Sequence, residues 1–210
     1  MQKTFFFLFL LVAFVSVSAQ DFEGKIQYEV TYTSKSPAMK EEQLRAIMGT
    51  QHEYLYKDGN YKTVIAPGAM MQWQLYINAD NKLYNQYSNN TTILWSDGAV
   101  NADSVLRVAV RKNALEVAGF TCDELTLHCK SGTWRYYYTA QIKASARLFR
   151  QHLYGNWYAY LQQAGALPLK FIVDLPQYTI ETTATQVLPM KLEDQLFRLP
   201  PDAKTAKSPF

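Results

Sequence analysis

The sequence predicts a mainly β protein with some α (α+β), built on an antiparallel sheet of about eleven strands with two or three helices. Three observations carry this. Apolar and polar residues alternate with period two from residue 21 onward. Turn residues then recur between 52 and 96 at intervals too short for crossover helices, so neighbouring strands must run antiparallel. Only one long stretch, 144–163, switches to helical spacing.

Residues 1–20 hold one positive charge at Lys3, an apolar run over 5–15, and small Ser16, Ser18 and Ala19 before Gln20 and Asp21. This is the pattern of a secretory signal peptide, cleaved after 19 or 20. Its apolar core is shorter than the ~20 residues of a membrane span, so no stable span is expected after its removal. Residues 20–210 then suit one domain with a sizeable core, ending in a loose tail over 201–210. A formal net charge of +3 with no Lys/Arg cluster excludes nucleic acid as the main partner.

In chain order, 21–34 is a strand with Phe22, Gly24, Ile26, Tyr28, Val30 and Tyr32 on one face. Ser36-Pro37 reads as the cap and first turn of a helix over 38–48, stopped by Gly49. A meander follows, turning at Asp58-Gly59, Pro67-Gly68, 79–81 and Asn89-Asn90. Within it Met71, Trp73, Leu75 and Ile77 share a face against Gln72, Gln74 and Tyr76.

Segments 105–110 and 115–129 read as further strands, with Gly119 placed for a bulge, and 130–133 turns the chain into a strand over 134–141. Over 144–163, Phe149, Leu153, Trp157, Tyr160 and Leu161 recur at helical spacing, with Gly155 a point for a kink. Gly165 is placed to end that helix in a left-handed conformation. Leu167, Leu169, Phe171, Val173 and Leu175 then alternate as a strand, 178–187 returns, and 192–199 is a last short element.

Cys122 and Cys129 lie in one predicted strand, ~23 Å apart if it stays extended, whereas a disulfide spans less than ~7 Å between α-carbons. Free buried thiols are therefore expected, unless a bend brings the pair together. His128 should be solvated, on the face opposite Leu125, Leu127 and Cys129. His152, one turn before Asn156, should have a structural role at a cavity rim or in solvent. No Gly-x-Ser-x-Gly, His-Glu-x-x-His, phosphate-binding glycine loop or Cys-x-x-Cys occurs, and a non-enzyme without cofactor or metal is expected.

Several phrases in order look like a known group: Phe22-x-Gly24-x-Ile26-x-Tyr28, Gly119-Phe120-x-Cys122, 134–139, Gly165-Ala166-Leu167-Pro168-Leu169-Lys170, 182–185, and Phe197-x-Leu199-Pro200. Together they resemble exported bacterial proteins of the LolA-like (outer-membrane lipoprotein carrier-like) superfamily, and among these the GLPGLI-type proteins. The resemblance implies an incomplete barrel of about eleven strands whose concave apolar side is covered by helices. In the carrier that cavity shelters acyl chains in the periplasm, and other proteins of similar fold act as sensors.

Fifteen tyrosines, eleven phenylalanines and four tryptophans supply the material for an apolar cleft. Its expected lining is Trp73, Leu75, Trp134, Tyr136, Leu169 and Phe171 from the sheet, with Phe149, Leu153, Trp157 and Tyr160 as a lid and Gly165 and Pro168 as the lid hinge. The expected partner is a lipid, acyl chain or lipoprotein. The alternative is a cleft filled by its own side chains, in a protein that works on an envelope protein partner or as a stress sensor.

Overall fold

The computed structural model describes residues 20–209, so the segment read as a signal peptide lies outside the described residues. Its strands are β1 (Gly24–Ser34), β2 (Gln51–Lys57), β3 (Asn60–Ile65), β4 (Met71–Ile77), β5 (Lys82–Tyr87), β6 (Ile93–Asp97), β7 (Val105–Val117), β8 (Phe120–Cys129), β9 (Thr133–Lys143), β10 (Ala166–Asp174), β11 (Tyr178–Pro189) and β12 (Thr205–Lys207). The helices are α1 (Glu41–Met48) and α2 (Trp157–Ala164).

All twelve strands join one sheet in the order β12-β6-β5-β4-β3-β2-β1-β11-β10-β9-β8-β7. Every pair is antiparallel except β12 on β6. The two ends of that order are not paired, so the curved sheet stops short of a closed barrel. This is the incomplete barrel that the resemblance implied.

Alternation decides which side chains meet. On β1, Ile26, Tyr28, Val30 and Tyr32 are buried on the concave face while Gln27 and Glu29 turn away. Ile26 opposes Tyr54 and Val187, and Tyr28 opposes Ala184, so this face continues onto both neighbours. The largest core cluster fills the concave side, from Tyr56 and Tyr76 across to Leu125, Tyr136 and Leu169. A smaller cluster on the convex side gathers Leu55, Leu75, Tyr84 and Ile93 beneath Leu192 and Phe197.

Four details correct the sequence reading. The segment 144–163 is not one helix. It consists of 3-10 turns at Ala146–Phe149 and Tyr154–Asn156 followed by α2. Gly155 and Asn156 both adopt left-handed backbone (φ 61° and 59°), which no α-helix accommodates. Helix α1 begins at Glu41 instead of 38, because Ser36 folds back: its hydroxyl accepts the Ala38 N–H at 3.3 Å, and Pro37 sits in that turn.

The third concerns 105–129, where turn and bulge exchange places. β7 runs unbroken through Asn113, whose positive φ of 48° accompanies a register slip between Arg111 and Leu115. The reversal falls at Ala118-Gly119 instead (φ 50° and 81°), a two-residue hairpin whose backbone matches strand twist. The fourth is the tail 201–210, which is not wholly loose: Thr205–Lys207 adds β12 in parallel to Ile93–Trp95.

Other expectations stand. Gly165 ends α2 in the left-handed region (φ 59°), its N–H donating to the Leu161 carbonyl at 2.8 Å. Asn89 and Asn90 lie in the β5–β6 connection. Cys122 and Cys129 are free and buried. Among the described residues no helix is long and apolar enough to cross a membrane.

Candidate functional site

Two left-handed residues break the roof of the concave face, and a cavity of about 240 Å³, partly open to solvent, lies beneath that break. The sheet supplies its floor and walls through Tyr28, Tyr54, Tyr61, Trp134, Tyr136 and Phe171. The roof is His152, Tyr154, Gly155 and Trp157. The walls form a belt of rings: Tyr54 stacks on Tyr61 with centroids 5.4 Å apart, and Tyr28 meets Phe171 edge-on at 6.2 Å. Among the described residues no Lys, Arg, Asp or Glu lines the cavity.

Hydrogen bonds hold the roof down. Leu153 and Tyr154 N–H groups both donate to the Gly98 carbonyl, at 2.7 and 2.9 Å. Asn81 Nδ2 donates to the Gln151 carbonyl at 2.8 Å. Asn156, buried in the turn, accepts from Asn101 Nδ2 at 2.7 Å and donates to Cys129 Sγ at 3.4 Å. Between these anchors Leu153 and Tyr154 stay exposed at 40% and 45%, so the outer lip of the cavity is the least packed part of its cover.

His152 is the residue of this site that the sequence did not single out as central. Its ring is 1% exposed and lies flat on Tyr76, with centroids 4.1 Å apart. Its Nε2 is 2.8 Å from the Tyr61 hydroxyl. Burial pushes its pKa down to about 3, so the imidazole is neutral at physiological pH. Which of the two groups donates in this contact is set by the tautomer of the neutral ring. Only tertiary packing could show this burial, since His152 sits in a turn and not on a helical face.

Among the described residues Nδ1 has no partner, and neither do the Tyr54 hydroxyl, Trp134 Nε1 and Trp157 Nε1, all buried. All four belong to residues lining the cavity. A buried polar group without a partner carries a desolvation penalty of about 1–3 kcal/mol, so four around one space is a feature to explain. At the far side Tyr28 is satisfied: its hydroxyl donates to the Pro168 carbonyl at 2.6 Å.

The expected lining separates into three groups. Trp134, Tyr136, Trp157, Phe171 and the proposed hinge residue Pro168 do line the cavity. Phe149, Tyr160 and Leu169 are fully buried in the core around it. Tyr160 stacks on Tyr136 at 4.1 Å, and its hydroxyl donates to the Ala166 carbonyl at 2.9 Å. Leu169 leaves the cavity face because β10 is irregular on both sides of Pro168, which puts Pro168 and Phe171 on the cavity instead.

The third group is elsewhere. Leu153 points outward at the lip. Trp73 and Leu75 lie on the convex face, Leu75 buried in the cluster under Phe197 and Trp73 packed against it with Lys62 Nζ 5.3 Å from its ring. Alternation separates the two faces of β4 but not which is concave, and here both are covered. Gln74, Tyr61 and Leu83 take the positions expected of Trp73 and Leu75. His128 sits on the outer face as expected, where the Arg107 guanidinium lies 2.9 Å from its Nε2.

The cavity under the roof of the open half-barrel is lined mainly by aromatic rings, with His52, Thr63, Gln74 and Thr182 adding polar side chains to its lining. Two solved structures are similar over most of the chain. One is an uncharacterized conserved protein from Thermus thermophilus, 11% identical, covering 89% of this chain and 91% of that one with a TM-score of 0.49. The other is a LolA superfamily protein from Nitrosomonas europaea, 9% identical, covering 85% of this chain and 91% of that one with a TM-score of 0.39. No family model and no curated protein matches the chain.

Proposed function

We propose that this chain is an exported, non-catalytic protein that binds an apolar ligand, an acyl chain or the acyl part of a lipoprotein, in the half-barrel cavity. One observation carries the reading: the partly open cavity of about 240 Å³ walled by Tyr28, Tyr54, Trp134, Tyr136, Trp157 and Phe171. An apolar cavity of about 150 Å³ already accommodates a benzene ring. Export rests on the signal-peptide pattern of residues 1–20. The phrase Gly165–Lys170 supports a relation to the GLPGLI-type proteins.

Burying a methylene contributes about 0.8 kcal/mol, so six carbons contribute about 5 kcal/mol before ordering costs, and dissociation constants are of submillimolar order or weaker. A longer chain must pass the Leu153–Gly155 lip. The test is native mass spectrometry of the protein purified from the periplasm of its own host, with lipid extraction. A lipid-free protein whose tryptophan emission ignores added short-chain acyl ligands would overturn the reading.

A second reading, a surface that engages an envelope protein, is favoured by β7, an edge strand with Leu106, Val108 and Val110 exposed. Pull-down of an envelope partner that a charged substitution at Val108 abolishes is the result that would favour it.

A further inference from the structure

The two edges of the sheet are built differently. β12 ends one side with three residues in parallel pairing, a short edge of the kind that resists further pairing. β7 ends the other side with thirteen residues. Its residues 106–113 are all exposed, and among the described residues no strand lies against its outer row of backbone N–H and C=O groups.

Residues 107–111 pair with β8 without interruption, between register slips at Val105/Arg107 and Arg111/Leu115. Strands bend at such slips, so the free edge offers one regular window. Within it Val108 opposes Leu127 and Val110 opposes Leu125. Both leucines are fully buried in the core, so the two valines carry the core face one strand beyond its cover, and they are 40% and 51% exposed. On the other face Arg107 opposes His128 and Arg111 opposes Glu124. Arg111 is neutralised by that glutamate at 2.8 Å. Arg107 has the His128 ring at 2.9 Å and, among the described residues, makes no ion pair.

Charge decides between occupants of this edge. A second copy added antiparallel over the whole window would have its two-fold axis at Ala109, which sets Arg107 opposite Arg111 of the other copy, twice over. Like charges directly across a strand pair are destabilising. A foreign strand with an acidic residue opposite Arg107 gains where the second copy loses, and apolar residues opposite Val108 and Val110 extend the core face.

We propose that β7 takes an extended segment of another protein as an added strand, antiparallel along residues 107–111, with apolar residues on Val108 and Val110 and an acidic residue opposite Arg107. This rests on the second reading above and names the chemistry of its partner. Main-chain pairing sets the register, the valines supply apolar contact, and Arg107 supplies the charge preference.

The test uses nitrogen-15-labelled mature protein and two synthetic peptides blocked at both ends, Thr-Val-Thr-Val-Glu and Thr-Val-Thr-Val-Lys. Antiparallel addition sets the last residue of each opposite Arg107. Each is titrated while the β7 amides are followed by NMR. Shifts confined to β7 and β8, slowed hydrogen exchange at alternate β7 amides, and binding of the Glu peptide tighter by about two- to five-fold are expected. Arg107→Glu, at an exposed position, should reverse the order of the two peptides, and Val108→Lys should weaken both.

Equal binding of the two peptides, or an order that Arg107→Glu leaves unaltered, overturns the acidic preference while leaving β7 standing as a docking edge. No response of β7 to either peptide overturns both. A concentration-dependent dimer that Val108→Lys abolishes makes a second copy the occupant and overturns the proposal. The comparison of the two peptides on the wild-type protein reports even if a variant fails to fold.

Discussion

The His152 imidazole lies parallel to the Tyr76 ring within 16°, at a centroid separation of 4.1 Å, so the roof of the cavity is seated on its wall by a neutral heteroaromatic ring. Charging that ring means charging it in the core. Its pKa is about 3 folded against an ordinary 6.5, so between these values the unfolded chain binds the proton and the folded one does not. Stability is then full above pH 6.5 and falls as pH drops towards 3, at a cost of order a few kcal/mol.

Melting temperature should therefore decline from pH 6.5 downwards, and most of the fall above pH 5 precedes the loss of carboxylate contributions. Asp103, Asp123 and Asp174 have depressed pKa values, and their contributions are lost only at lower pH. His152→Phe keeps a ring on Tyr76 and should flatten most of that slope. The remainder belongs to His52, whose pKa burial also lowers, and, as pH nears 4.5, to Glu23 and Glu124, whose pKa values are held below the ordinary carboxylate range. An unaltered slope in the variant would remove His152 as its cause.

Tryptophan emission divides by face. Trp134 and Trp157 line the cavity, while Trp73 and Trp95 pack on the convex cluster, Trp95 with Lys82 Nζ 4.3 Å from its ring. A Trp73→Phe/Trp95→Phe protein should thus retain the whole ligand-induced change in emission. Loss of the response in this variant would place binding on the other side of the sheet.

Gly165 ends α2 at φ 59° with nothing within 4 Å of where a Cβ would project. The cost of Gly165→Val is thus backbone strain without a clash, about 1–2 kcal/mol. For a domain of this size that lowers the melting temperature by roughly 2–8 °C. An unchanged melting temperature would show that the left-handed cap is not required.

Cys122 and Cys129 are buried and unpaired. Burial pushes the Cys129 thiol up to about 11, with Asp103 adding to it. Native protein should resist iodoacetamide at pH 8 and label at both sites in denaturant, and reductant should not change its melting temperature. Rapid native labelling of either thiol would contradict their packing.

Strands and turns were legible where one local rule operates. Asp58-Gly59 makes its predicted hairpin (φ 47° and 79°) because that dipeptide suits the required backbone. Legibility ended where a rule had two solutions. Asn113 and Gly119 each tolerate left-handed backbone, and only pairing with β8 decides that the first is the irregularity and the second belongs to the turn. Both faces of β4 are covered, so Trp73 and Leu75 read as cleft residues although Leu192 and Phe197 lie over their side. Helical spacing over 144–163 was real as a list of apolar residues, but Gly155-Asn156 interrupts the helix, and that interruption shapes the roof.

The pairing of β1 with β11 has a kinetic consequence. Gly24 opposes Pro189 and Ser34 opposes Tyr178, so the first strand gains its second neighbour only when nearly the whole chain is present. Until then the centre of the sheet is open on one side. Closing so long a loop makes nucleation slow, on the order of milliseconds to seconds for a β topology of this kind. A chain emerging from the ribosome therefore cannot complete its sheet until Tyr178–Pro189 has been made, although the local hairpins of β2–β6 and β7–β9 can pair before then.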